Sequence, residues 1–220
     1  MGFTVAFLPL AMISLKIIQL SKSYGPNRVF SDVSFEHEGS SLGIAGSNGS
    51  GKSTFLKCLG NLLRPSNGRV EWSKDGKLLN RDELQPILGY AAPYINLYDE
   101  LSCRENLQFL ANIRHQDSAD AAIKEWITEV GLSDVADQPY GKLSTGQQQR
   151  LRLASALFHE PDILLLDEPG SNLDEAGRSL IAAIAKTFQS QDKLLIIASN
   201  NPDELNLCER IFSIEQEIFV

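Results

Sequence analysis

"GSNGSGKST", residues 46–54, decides how this chain is read. It is either a flexible surface turn with a chance lysine or a cradle for phosphate. Gly46, Gly51, Lys52 and Ser53 meet the pattern GxxxxGK[ST]. The apolar run "SLGIAG" enters it. "KSTFLKCLGNLL" leaves it, with helical apolar spacing at Phe55, Leu56, Leu59, Leu62 and Leu63. A strand entering and a helix leaving favour the cradle. Glycines let successive backbone N–H groups turn inward around phosphate oxygens, and the new helix adds its positive end. The candidate phosphate-binding residues are therefore Gly46, Ser47, Asn48, Gly49, Ser50, Gly51, Lys52, Ser53 and Thr54. Lys52 is placed to bridge β- and γ-phosphates, and the Ser53 hydroxyl to bind Mg²⁺.

Around this stretch the pattern is that of an α/β fold. "LKIIQL" and "VFSDVSFEHE" alternate like strands, and "GRVEW" and "ILGYAA" read as two more. "DILLLDEP" and "KLLIIASN" are continuous apolar runs with polar ends, as suits parallel strands buried on both faces. "SLIAAIAKTFQS" between them reads as a crossover helix. Residues 102–115 and 119–130 have helical patterns and belong to a helix-rich lobe inserted near residues 95–160. In "SADAAIKEWITEVG", Ile123, Trp126 and Ile127 share one side, which reads as a core face before a lipid face.

"DILLLDEP" carries the second piece of chemistry. A carboxylate at the end of a buried strand is costly unless paired or metal-bound. Asp167 sits there, where it can hold the Mg²⁺ that Ser53 also reaches, although a helix cap is the plainer role for an aspartate alone. Glu168 follows, able to orient or deprotonate an attacking water.

Composition narrows the classes. The chain has 220 residues, 43% of them apolar, enough for one domain with an inserted lobe. A net charge of −8 argues against non-specific nucleic-acid binding, which needs a basic surface. Cys58, Cys103 and Cys208 form no CxxC pair, so neither zinc nor a disulfide scaffold is indicated, and a reducing cytosol fits. His37, His115 and His159 share no motif and are expected on the surface or in helix packing. "MGFTVAFLPLAMISL" is uncharged but shorter than the roughly 20 residues of a membrane helix, and Pro9 interrupts it. It reads as a weak membrane-surface anchor, a frayed extension or a start-site artefact with Met12 as the working start. The last two are preferred.

The stretch "LSTGQQQRLRLASALFHEPDILLLDEPGSNLD" closely resembles ATP-binding cassette (ABC) ATPases, and the resemblance runs from about residue 13 to the end. It implies an ABC-type P-loop NTPase: a mainly parallel central sheet, antiparallel N-terminal strands and an inserted α-helical subdomain. Residues 12–220 would form the ATPase domain, with 12–92 and 161–220 as nucleotide-binding core and 93–160 as helical subdomain; residues 1–11 would be an extension. The ligands implied are ATP and Mg²⁺. "LSTGQQQR" resembles the signature that caps the ATP of a second subunit, assigning Leu143, Ser144, Thr145, Gly146 and Gln147 to contact in trans. Thr145 stands where glycine is commoner. Asp174 of "SNLD" would align the two sites across a dimer, and Tyr24 would stack on adenine. One cradle and one signature on opposite faces require a second copy or a close paralogue.

Two departures from the family pattern stand out. Counting back twelve from Glu105 lands on Pro93, where relatives place a glutamine that meets Mg²⁺ or water. Tyr94, Asn96 or water would then stand in; for the aromatics of "AAPYINLY", packing or contact with a membrane partner is the plainer reading. Asn200 occupies the place of a common histidine, and its amide donates a hydrogen bond but does not become charged. Slow or partner-dependent hydrolysis is expected.

The resemblance points first to the ATPase subunit of a transporter, docked through residues 93–116 on a transmembrane permease and held at the cytoplasmic face of the membrane. The compact chain, the "LSTG" signature and the variant loop favour export, including the haem-exporter type of cytochrome c maturation. The alternative is a single-cassette mechanical switch in cell division or lipoprotein release. "NPDELNLCER" adds no chemistry at this level.

Overall fold

The computed structural model describes residues 13–115, 120–191 and 193–220. The expectation for residues 1–11 lies outside them. The N-terminal strands β1 (Ile13–Tyr24) and β2 (Asn27–His37) form an antiparallel hairpin, and β1 pairs on its other edge with β4 (Asn67–Lys74). With β5 (Lys77–Leu78) they make a four-stranded sheet in the order β2-β1-β4-β5. The second sheet holds β3 (Ser41–Ala45), β6 (Leu88–Ala91), β7 (Ile163–Asp167), β8 (Leu194–Ser199), β9 (Arg210–Ser213) and β10 (Ile218–Phe219). Its order is β10-β9-β3-β8-β7-β6, parallel except between β9 and β10. The fold is α/β as expected, with a mainly parallel central sheet and antiparallel N-terminal strands.

Continuous apolar runs form the parallel strands because both faces are covered. On β7, Ile163 and Leu165 join one core cluster while Leu164 and Leu166 join another, and all four are fully buried. On the first face lie helix α1 (Lys52–Leu59) and the antiparallel sheet. There Phe55 of α1 meets Phe30 edge-on at 5.1 Å, and Trp72 of β4 donates from Nε1 to the Leu59 carbonyl at 2.9 Å. Full burial of a side chain such as Phe55 contributes about 1.5–3 kcal/mol.

The other face packs on α5 (Thr145–Leu157) and the crossover helix α6 (Glu175–Ser190). Helices α3 (Cys103–Ile113), α4 (Asp120–Glu129) and α5 share a third cluster around Leu107, Ile123, Ile127 and Leu151. Ile123 and Ile127 are buried in it and Trp126 packs against it, so the apolar side of α4 is a core face.

Two results differ from the sequence reading. Helix α2 (Arg81–Ile87) has no apolar period long enough to see; a capping box starts it, Asn80 accepting from Glu83 N and Glu83 accepting from Asn80 N. His37 lies neither on the surface nor in a helix. It ends β2, 1% exposed, and burial lowers its affinity for a proton.

Candidate functional site

Parallel register builds the site. Ala45 of β3 pairs with Ser199 of β8, and Ala198 of β8 pairs with Asp167 of β7. Ala91 of β6 pairs with Leu166. The carboxyl ends of four strands therefore finish side by side. The phosphate loop, the Asp167–Glu168 pair, Asn200 and the segment after Ala91 emerge at one rim, the usual place for ligands on an open α/β sheet.

Loop 46–51 bends back over the start of α1. Gly49 has φ 85° and Gly51 has φ 104°, a region that side chains other than glycine's rarely adopt. A Cβ at Gly51 would also run into the Val29 side chain of β2. Lys52 is 5% exposed, with its ammonium inside the loop's curve. Its Nζ donates to the carbonyls of Gly46 (2.9 Å) and Ser47 (3.0 Å) and lies 3.0 Å from Glu168 Oε1. Asn200 donates from its amide to Asn48 Oδ1 at 3.0 Å. Ser47 donates from its backbone N–H and its hydroxyl to Glu215 Oε1.

Asp167 is fully buried, and burial raises its pKa, opposed chiefly by hydrogen bonds from Ser53 and Tyr94. Tyr94 donates to its Oδ2 at 2.9 Å, while Oδ1 has no partner in the protein. The Ser50 hydroxyl is likewise buried and unpartnered. An unsatisfied carboxylate oxygen beside a serine hydroxyl suits a hard divalent cation, and an unsatisfied hydroxyl in a glycine loop suits phosphate. The residues present therefore fit Mg²⁺ and a polyphosphate. Glu168 has φ 45°, a left-handed conformation that side-chain-bearing residues adopt at a cost of order 1 kcal/mol and that gathers at functional sites. Its N–H is fixed on the Ala198 carbonyl at 2.8 Å.

Behind Glu168 lies a residue the sequence reading missed. Glu204 of α7 (Pro202–Leu205) is 7% exposed, and burial raises its pKa. The Ser199 hydroxyl bonds to Glu204 and also lies 3.4 Å from Glu168 Oε2. A helix of four residues has no period to reveal which side is buried.

The segment 143–147 stands apart. Ser144 caps α5: its hydroxyl accepts from Gln147 N at 3.3 Å, and Gln147 Oε1 accepts from Ser144 N at 2.9 Å. Thr145 opens the helix on the exposed side, so its side chain is accommodated where glycine is commoner. Asp174 caps α6, accepting from Gly177 N at 2.9 Å and Arg150 Nη2 at 2.5 Å; these bonds lower its pKa. Among the described residues no hydrogen bond joins 143–147 to 46–54. Tyr24 is half-exposed at the end of β1, with Lys22 Nζ 5.0 Å from its ring centre.

A family model described as ABC transporter matches residues 30–171. The chain belongs to the ABC transporter family. Over 207 residues this cassette is 34% identical to the histidine/lysine/arginine/ornithine transport ATP-binding protein HisP of Salmonella typhimurium, spanning 84% of this chain and 80% of that one. Over 198 residues it is 29% identical to the cytochrome c biogenesis ATP-binding export protein CcmA of Histophilus somni, spanning 90% and 91%. It superposes with a TM-score of 0.79, at 25% identity, on the ATP-binding cassette MJ0796, a dimeric structure in a post-hydrolysis state bound to ADP and Pi; 92% of this chain and 95% of that one are covered. The cassette is an ATP-binding, ATP-hydrolysing transporter subunit. No helix among the described residues is long and apolar enough to cross a membrane.

Proposed function

We propose that two copies of this cassette, or one copy and a close paralogue, close on MgATP and drive a separate transmembrane permease of the export type. The carrying observation is the position of Lys52, buried inside loop 46–51 and within 3.0 Å of Glu168. A γ-phosphate competes with Glu168 for that ammonium. Once released, the Glu168 carboxylate accepts a proton from the attacking water. Backbone N–H groups of the loop and the N-terminus of α1 hold the phosphates. Ser53 and Asp167 would hold Mg²⁺, which neutralises charge on the terminal phosphates when bound.

The Ser144 hydroxyl accepts within its own helix and keeps its proton to donate to the partner's γ-phosphate, beside the Gly146 N–H at a positive helix end. Asp174 fixes the loop before α6 for the dimer contact, and Tyr24, half-exposed, would stack on adenine.

Tyr94, Tyr98, Phe109 and Ile113 leave large apolar surface exposed within the expected docking segment, which suits docking on a permease. That partner would hold the cassette at the cytoplasmic face of the membrane. The finer assignment, haem export for cytochrome c maturation, is supported by the likeness to CcmA across nine-tenths of both chains. Lys52→Ala in the purified chain tests the cradle: loss of ATP binding and of ATP-induced pairing is expected, and retention of both overturns it. Co-purification from solubilised membranes tests the rest. An integral export protein is expected; a cell-division or lipoprotein-release partner would replace the transport assignment.

A further inference from the structure

Two tyrosine hydroxyls stand in line with the buried carboxylate. Tyr90, on β6, touches Tyr94 hydroxyl to hydroxyl, and Tyr94 donates to Asp167 Oδ2 at 2.9 Å. An ionised carboxylate only accepts, so the direction of the chain is fixed: Tyr90 donates to Tyr94, and Tyr94 to Asp167. Each bond polarises the next.

The tyrosine is held from three directions. Lys57 places its ammonium 4.0 Å from the centre of the Tyr94 ring, within cation–π range. Lys57 lies four residues after Ser53 on the same face of α1, so one helix offers a hydroxyl to Asp167 and a cation to Tyr94. Pro93 fixes the backbone just before Tyr94 and holds Ala92 out of the helical region. The Ile95 carbonyl just after it accepts from Arg152 Nε of α5 at 2.6 Å.

We propose that the Tyr94 hydroxyl, backed by Tyr90, is a positioning residue that orients Asp167 for the metal. Holding Oδ2 sets the plane of the carboxylate and leaves Oδ1, which has no protein partner, as the ligand atom. Ligating carboxylates are themselves held by hydrogen bonds, and removing such an outer contact weakens metal binding by about 10–100-fold. The proposal rests on the reading of Ser53 and Asp167 as the metal pair.

The test is a titration of the purified full-length chain carrying a fluorescent ATP analogue. Affinity for the analogue is measured first in EDTA, then Mg²⁺ is added to half-saturation. Tyr94→Phe keeps the ring over Lys57 and removes only the hydroxyl. It is expected to raise half-saturating Mg²⁺ about tenfold or more, with metal-free affinity for the analogue within about twofold. Tyr90→Phe is expected to shift it in the same direction by less. Half-saturation unchanged in Tyr94→Phe overturns the proposal, as does an equal loss of affinity with and without Mg²⁺, which marks a packing role. Failure of the underlying reading looks different: Asp167→Asn and Ser53→Ala would then leave the Mg²⁺ dependence untouched. Circular dichroism of each variant, with Tyr90→Phe as the milder change, keeps misfolding apart from metal loss.

Discussion

Asn200 Nδ2 donates to Asn48 Oδ1 across 3.0 Å, tying the end of β8 to the tip of the phosphate loop. The contact joins residues 152 positions apart and exists because β8 and β3 are neighbours in the sheet. An amide there holds the loop without offering a charge that varies with pH. Asn200→His supplies an imidazole at the same rim. We expect it to raise kcat by about 10²-fold or more with KM little changed, the lower end of general acid–base effects. Phosphate release under saturating MgATP measures this. A variant no faster than the parent chain sinks the assignment of Asn200 to the catalytic rim.

Glu168 faces Lys52 at 3.0 Å, and the two have separable tasks. Glu168→Gln should keep nucleotide binding and lower phosphate release by about 10²–10⁴-fold, the loss expected for a general base. With hydrolysis stalled, ATP should hold the pair of subunits together, visible as a dimer peak in size-exclusion chromatography with ATP and Mg²⁺. Undiminished turnover in this variant would remove Glu168 from the mechanism.

His159 gives the fold a pH dependence. Its ring lies between α5 and β6, with Nε2 3.3 Å from the Leu88 carbonyl. Burial first, then the Arg114 charge, holds its pKa at about 4 against an ordinary 6.5. Between these values the unfolded chain binds the extra proton, so stability falls as pH falls through that window. The loss from this group is about 2 kcal/mol between pH 7.5 and pH 5. Urea unfolding at the two pH values checks it: His159→Gln should lose about 2 kcal/mol less than the parent chain, and equal losses would refute the claim.

Trp72 ties the antiparallel sheet to the end of α1 through its bond to Leu59. Trp72→Phe keeps an aromatic ring in the core but leaves the buried Leu59 carbonyl without that donor. The expected cost is about 1–3 kcal/mol in urea unfolding, from the stranded acceptor and the lost ring volume. A cost near zero would mean that the carbonyl finds another donor.

Local sequence determined much of this protein. The glycine loop, the helix after it, the two apolar strands "DILLLDEP" and "KLLIIASN" and the crossover helix between them are legible because each obeys a short-range rule of spacing or turn chemistry. Asp167 is legible for the same reason: a carboxylate ending a continuous apolar run has few inexpensive explanations. What only the tertiary structure decided is which side chains meet across the rim. Sequence leaves Tyr94 open between packing and a stand-in near the metal, alongside Asn96 and water; register puts its hydroxyl on Asp167, 73 residues away. Glu204 reads as one more acid in a polar segment, yet α7 turns it inward beneath Ser199. His37 looks like a surface residue until the fold closes over it. The physical reason is common to all three. Periodicity reports the surroundings of a residue along its own element, while parallel pairing and sheet order set contacts between elements far apart in the chain.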